Sequence, residues 1–221
     1  DAANVRLALT GADAVLSSVP PSADGDPVLA TYGADIAAHK VVYLSSTGVY
    51  GDTGGAWVDE TAPTGTGRRT ARAEADASWL ERGARVLRLP GIYGPGRSAL
   101  DRVREGKAHR IDLPAQVFSR VHVDDIVSGA VAAFDAPPGA YNLADDEPTS
   151  QNAVIEEACR LLGLEPPPLQ SLDAAGLSPM ARGFYAENRR VANGKARRVL
   201  GWKPRFPNYR EGLRAILAGE G

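Results

Sequence analysis

Three short segments carry the residues able to do chemistry. KVVYLSSTGVYGD (40–52) ends an apolar run in Ser45, Ser46 and Thr47, then turns at Gly48. Hydroxyls at the end of a buried strand can donate to a substrate oxygen; the plainer alternative is that they only terminate the strand. RLPGIYGPGR (88–97) sets Tyr93 and Arg97 in a Gly/Pro loop, which an ordinary rigid turn would also explain. FSRVHVDDI (118–126) places Arg120 and His122 just before a helical pattern. A lone His is more often structural than catalytic. Arg68 and Arg72 stand four residues apart, on one face of any helix that holds both. Arg stays protonated, so this pair suits a phosphate or carboxylate and not general-base work. With three His and the single Cys159, no metal site is expected.

These segments need elements to hold them. Strand-like runs fall at 12–19, 40–46, 84–90 and 116–123. The first three are nearly continuous apolar runs, as in strands covered on both faces. Helical patterns occupy 25–39, 69–82 and 123–134. Asp124 and Asp125 are expected to open the last of these, where negative charge suits the macrodipole. Such alternation reads as βαβ units in a parallel sheet. After about residue 146 the pattern changes. QNAVIEEACRLLG takes Thr149 or Ser150 as its N-cap and ends at Gly163; a Pro-rich stretch follows. RRVANGKARRVLGW suggests a short strand and a helix. PNYREGLRAILAG closes as an amphipathic helix with Leu213, Ile216 and Leu217 on one face. The expected organisation is a sheet domain over 1–146 and a smaller α-rich lobe over 147–221.

Composition sets limits. The 221 residues are 43% hydrophobic and 24% charged, ordinary for a globular chain and too apolar for a disordered one. A net charge of −2 argues against nucleic-acid or anionic-membrane partners. No apolar run is long enough to span a bilayer. The start, DAANVRLALT, has no signal-peptide pattern. One cysteine fits a reducing, cytoplasmic setting. A small-molecule partner is expected, and a homo-oligomer stays open.

Taken in order, ADAVLSSVPP, VVYLSSTGVYGD, RLPGIYGPGR, SRVHVDDI and YNLADDEP resemble the extended short-chain dehydrogenase/reductase superfamily, nearest its NAD-dependent epimerase/dehydratase branch. KARRVLGWKPRFPNYREGL resembles an atypical bacterial subgroup of NAD(P)-binding oxidoreductases. The resemblance implies an α/β fold, a Rossmann-like doubly wound parallel sheet. It also implies NAD or NADP as cofactor. Ser17, Val19 and Pro20, with Ser45, would face the cofactor's ribose and nicotinamide side. Pro90, Gly91 and Ile92 would shape the nicotinamide end, and Ser46 would bond the reacting oxygen. Tyr93, Arg97, Arg120 and His122 would lie toward substrate.

The match departs from the family in two places. The family's Gly-rich opening is missing. No G-x-G-x-x-G occurs, and the nearest string, GTGRRT (65–70), lacks the third Gly. ADAVLSSVPP matches the family's fourth strand, so about sixty residues of a first βαβαβ part have no counterpart here. The chain alone is therefore expected to hold no dinucleotide. The family's Tyr-x-x-x-Lys pair is absent too: TGTGRRTARAEAD (64–76) has neither residue. One register puts Thr66 and Thr70 there. The preferred one aligns Asp76 and Trp79 and puts Arg68 and Arg72 there. Tyr50, four positions after Ser46, is a candidate replacement acid/base, against the commoner role of a packing Tyr. The expected function is an NAD(P)-binding oxidoreductase or epimerase/dehydratase-like protein acting on a small polar substrate, sugar nucleotides included. The alternative is a non-catalytic NAD(P)-binding or sensing module.

Overall fold

In the computed structural model, which describes residues 2–67 and 70–219, alternating apolar strands and helices assemble an α/β fold around a parallel sheet. In chain order the helices are α1 (Ala2–Leu9), α2 (Pro27–Tyr32), α3 (Thr70–Glu81), α4 (Ala99–Arg104), α5 (Val123–Ala133), α6 (Gln151–Leu162), α7 (Pro179–Phe184), α8 (Gly194–Val199) and α9 (Tyr209–Ala218). The strands are β1 (Ala14–Ser17), β2 (Lys40–Ser46), β3 (Trp57–Val58), β4 (Arg85–Leu89), β5 (Gly91–Tyr93), β6 (Arg110–Ile111), β7 (Arg120–His122), β8 (Gly139–Asn142), β9 (Leu169–Gln170) and β10 (Arg190–Val191).

The main sheet runs β1-β2-β4-β8, all parallel. Its register sets Ser17 beside Tyr43, and Ser46 beside Leu89. Ser17, Ser46 and Leu89 thus end their strands toward the same carboxyl side, with Pro90 next in the chain, where βα loops of such a sheet emerge; Ser17, level with Tyr43, ends three residues lower than Ser46. Strand period 2 sends Val41 and Tyr43 to one face and Val42 to the other. On the first face they pack with Ile36, Ala75, Trp79 and Val86 under α3. Tyr43 and Trp79 stack at 5.2 Å. The indole N–H of Trp79 donates to Asp26 (2.8 Å), whose other oxygen caps α2. On the second face Val42, Leu87 and Leu89 pack with Ile126 and Ala130 of α5 and with Trp202.

Four expectations are corrected. The strand expected over 116–123 shrinks to β7. It pairs with β5 outside the main sheet, because Pro90 breaks the run after β4 and Gly91–Tyr93 restart beside it. The fourth main-sheet strand is instead β8, whose GAYN is too short and too weakly alternating to stand out in sequence. The helix over 25–39 stops at Tyr32: Gly33 forms its C-cap, and turns fill the rest. Asp124 and Asp125 do open α5, but neither caps it: the cap is His122, its ring nitrogen accepting from Asp124 N–H, and the Asp125 carboxylate instead accepts from the N–H groups of Arg205 and Phe206.

In the C-terminal part Ser150 caps α6 and Gly163 ends it in a left-handed turn. A third cluster joins Leu100 of α4, Ile155 of α6 and Leu213 of α9. Ile216 packs against it, while Leu217 is 39% exposed, so the apolar face of α9 is narrower than its sequence suggests. β10 pairs with β3, and Lys195 of α8 donates to the carbonyl of Ala140 on β8 (2.8 Å). The close approach of α9 to β5 requires Gly212, where an added Cβ would lie 2.7 Å from a ring carbon of Tyr93. We expect Gly212→Ala to cost about 1–3 kcal/mol by overpacking, read as a lower midpoint in urea with an unchanged slope.

Candidate functional site

The carboxyl edge of the sheet rests on a buried polar network. Arg88 on β4 and Asp76 on α3 form a forked ion pair, with bonds of 2.7 and 3.1 Å. Their side chains are only 4% and 2% exposed. Ser45 donates to the same carboxylate (2.6 Å). Arg88 also donates to the Tyr50 hydroxyl (3.0 Å), which donates to Asn142 Oδ1 on β8 (2.8 Å). Asn142 in turn donates to the carbonyl of Ala192 (3.1 Å), and its backbone N–H donates to Glu60 (2.7 Å). Burial alone would lower the Arg88 pKa; Asp76 and Tyr50 outweigh it and hold the guanidinium charged. Burial also raises the Tyr50 pKa.

This network decides which expected site residues can face a ligand. Tyr50 is 1% exposed and its hydroxyl is shared between Arg88 and Asn142, so it sits within the network and not in open space. Ser45 is 4% exposed and its hydroxyl is bound to Asp76 on the α3 face. Ser46, the next residue, is half-buried; its hydroxyl accepts from Gly48 N–H (3.1 Å) and caps the short turn Thr47–Tyr50. Ser17 is buried, and its hydroxyl has no partner among the described residues. Val19, Pro20 and Gly91 are exposed, and Pro90 and Ile92 half-buried. Arg72 is half-buried and reaches Tyr43 on the α3 face (3.4 Å), opposite in strand alternation to Ser46. Arg68 lies outside the described residues.

The β5–β7 pair brings the other two segments side by side, Gly91 beside Arg120 and Tyr93 beside His122. Arg120 is 6% exposed and spends its guanidinium on the carbonyls of Phe118, Thr149 and Ser150 and on Gln151. Desolvation pulls its pKa down to about 10. It ties α6 to β7 and has no arm turned to solvent. His122 is fully buried, edge-on to Tyr93 (5.2 Å) and 4.2 Å from Phe206. Desolvation lowers its pKa, which keeps the ring neutral. The Tyr93 hydroxyl and His122 Nε2 have no partners among the described residues, and burial raises the Tyr93 pKa. Arg97 is exposed on the turn that follows.

One residue at the edge escaped the sequence reading. Arg189 comes from the segment before β10, 143 positions after Ser46. It donates to the carbonyl of Gly51 (2.7 Å) and pairs with Glu187 (2.9 Å). A Cβ built on Gly48 would lie 3.3 Å from Ser46 Oγ and 4.0 Å from Arg189 Nη2, with no other atom of the described residues within 4 Å. No local pattern marks Arg189 among the RR and KARR runs nearby. Arg88 did carry a signal: a charge inside an apolar strand needs a buried partner.

No family model matches the chain. YeeZ of Escherichia coli strain K12 is 30% identical over 226 residues, covering 91% of this chain and 74% of YeeZ. This chain belongs to the YeeZ family. It is also 36% identical, over 71% of its length, to the 3-diazoavenalumate denitrifying reductase of a Streptomyces, and it spans about half of that protein (55%). A conserved protein of unknown function from Silicibacter pomeroyi superimposes with a TM-score of 0.89 at 46% identity, covering 96% of this chain and 79% of that one. The dTDP-glucose 4,6-dehydratase of Bacillus anthracis, solved with NAD, gives 0.76 at 17% identity over 99% of this chain and 76% of its own. That likeness establishes the Rossmann-like fold.

Two outcomes follow for this YeeZ relative. Asp76→Ala leaves a guanidinium buried without its partner and should cost about 3–5 kcal/mol, seen as a lowered thermal midpoint. Replacing both Asp76 and Arg88 by apolar residues should cost less than the two single changes added together. The second outcome concerns Asp145, which is 2% exposed with one oxygen unpartnered among the described residues. Burial pushes its pKa from the ordinary 3.8 up to about 8, against the pull of Arg120. Between these values the folded state holds a proton that the unfolded chain has lost. Stability should therefore fall as pH rises through that window, and Asp145→Asn should flatten the fall in denaturation midpoints.

Proposed function

We propose that the intact protein is an NAD(P)-dependent oxidoreductase of reductase or epimerase/dehydratase type, acting on a small polar substrate at the edge formed by Ser17, Ser46 and Pro90. The observation that supports it best is the Ser17 hydroxyl, buried and unpartnered among the described residues at the end of β1. A buried hydroxyl without a partner is costly unless a ligand or water completes it. The nicotinamide half of a dinucleotide, which gives or takes a hydride when bound, fits that place. Ser17, Val19 and Pro20 would line one side of it and Pro90–Ile92 the other. A pyrophosphate needs a Gly-rich turn that these 221 residues do not contain. The relation to a denitrifying reductase supports reductive chemistry.

In this reading Ser46 holds the reacting oxygen. Its hydroxyl is fixed by the Gly48 amide, which leaves its own proton free to donate. Ser45, Tyr50, Asp76 and Arg88 hold the strand end still and do not meet substrate.

A second reading, a cofactor-binding module without turnover, is favoured by one observation: the Tyr50 phenol is already bonded on both sides. Incubation of the intact protein with NADH or NADPH and a panel of carbonyl and diazo compounds separates the two. Oxidation of the nicotinamide supports the enzyme. Ser46→Ala should then lower kcat by roughly a hundredfold with a smaller change in KM. Nicotinamide binding with no oxidation on any substrate supports the module and sinks the enzyme.

A further inference from the structure

The turn after β2 has a floor with no side chain. Among the described residues, only Ser46 Oγ and Arg189 Nη2 come within 4 Å of where a Gly48 Cβ would sit. Arg189 uses Nη1 for the Gly51 carbonyl and for Glu187. No described residue bonds its Nη2, and the side chain is 17% exposed. A guanidinium anchored by one arm, with the other close to the same glycine as a hydroxyl, is a pre-positioned anion receptor. Resting on the reading above, we propose that Arg189, Gly48 and Ser46 form a cradle for an anionic substrate in which the acidic group lies close to the reacting oxygen.

The spacing defines the class. Ser46 Oγ and Arg189 Nη2 are no further apart than their two distances to the Gly48 position combined. Two acceptors lying between these groups, at ~2.8–3.0 Å from each, are within a few bonds of each other. A 2-oxo or 3-oxo carboxylate meets this condition; a neutral ketone lacks the charge. A substrate whose only anion is a remote diphosphate would leave Arg189 unused. The sequence-predicted Arg97 and Arg120 do not compete, the first on a separate loop and the second fully bonded inside.

The test is binding without any nicotinamide, so it stands apart from turnover. Oxamate, an unreactive mimic of a 2-oxo acid, and neutral oxamide are titrated into the protein by NMR or calorimetry, with inorganic phosphate as a third arm. Oxamate should bind and oxamide should not; competition by phosphate would extend the class to phosphorylated hydroxyketones. Arg189→Met should weaken oxamate at least tenfold and Arg189→Lys by less. Because Arg189 also clips the 51 turn to the 187 segment, Gly48→Ala provides a second probe. It fills the floor, leaves the guanidinium in place, and should weaken oxamate with the thermal midpoint kept. Equal binding of oxamate and oxamide overturns the cradle, as does unaltered oxamate binding in a folded Arg189→Met or Gly48→Ala variant. Oxamate binding in a protein that oxidises no nicotinamide on any substrate would overturn the enzyme reading and keep the cradle.

Discussion

The forked pair between Asp76 and Arg88 is the constraint on which the sheet edge depends. It is buried on both sides, so neither charge can be left alone without a large desolvation cost. It joins α3 to β4, and through Ser45, Tyr50 and Asn142 it reaches β2 and β8. Three neighbouring strands are thus fixed at the same height by one set of hydrogen bonds. Hydrophobic packing holds the layers together but is tolerant of small slips; a fully bonded charge is not. The end of β2, with its turn at Gly48, is therefore a rigid platform.

The same network closes the far side of the sheet. β8 is its last strand among the described residues, yet its backbone is not open. Glu60 accepts from Asn142 N–H, and Lys195 donates to the carbonyl of Ala140. Side chains from one loop and from α8 thus cover the edge of β8, one way in which edge strands are kept from pairing with other chains. β1 at the opposite side differs: Leu16 there is 49% exposed.

Much of this was legible in the chain. β2 and β4 announced themselves as continuous apolar runs because both faces are covered, and the order of the strand ends toward one carboxyl side was legible too. The caps were legible as well, Ser150 and Gly163 most clearly. What failed to show were long-range pairings. GAYN becomes a strand only because β4 offers it a ladder. SRVHV looks like a core strand, but Pro90 diverts its partner out of the main sheet. Arg120 has the composition of a substrate ligand, and only the fold reveals four oxygens around it. Arg189 could not be singled out at all, since its neighbour Ser46 lies 143 positions away.

The division between Ser45 and Ser46 follows from strand geometry alone. Adjacent residues on a strand point to opposite faces, so two consecutive serines cannot share one task. Tyr43 and Ser45 belong to the face covered by α3, where the first stacks on Trp79 and the second bonds Asp76. Ser46 falls on the other parity, at the position where the strand gives way to a turn. There its oxygen accepts from the Gly48 amide. A slip of one residue would send Ser46 to the carboxylate and leave Ser45 on the turn, and it would also move Tyr43 off Trp79. The stacking of a large aromatic pair and the ion pair above it thus select the same register. Through that register they select which hydroxyl is presented at the sheet edge.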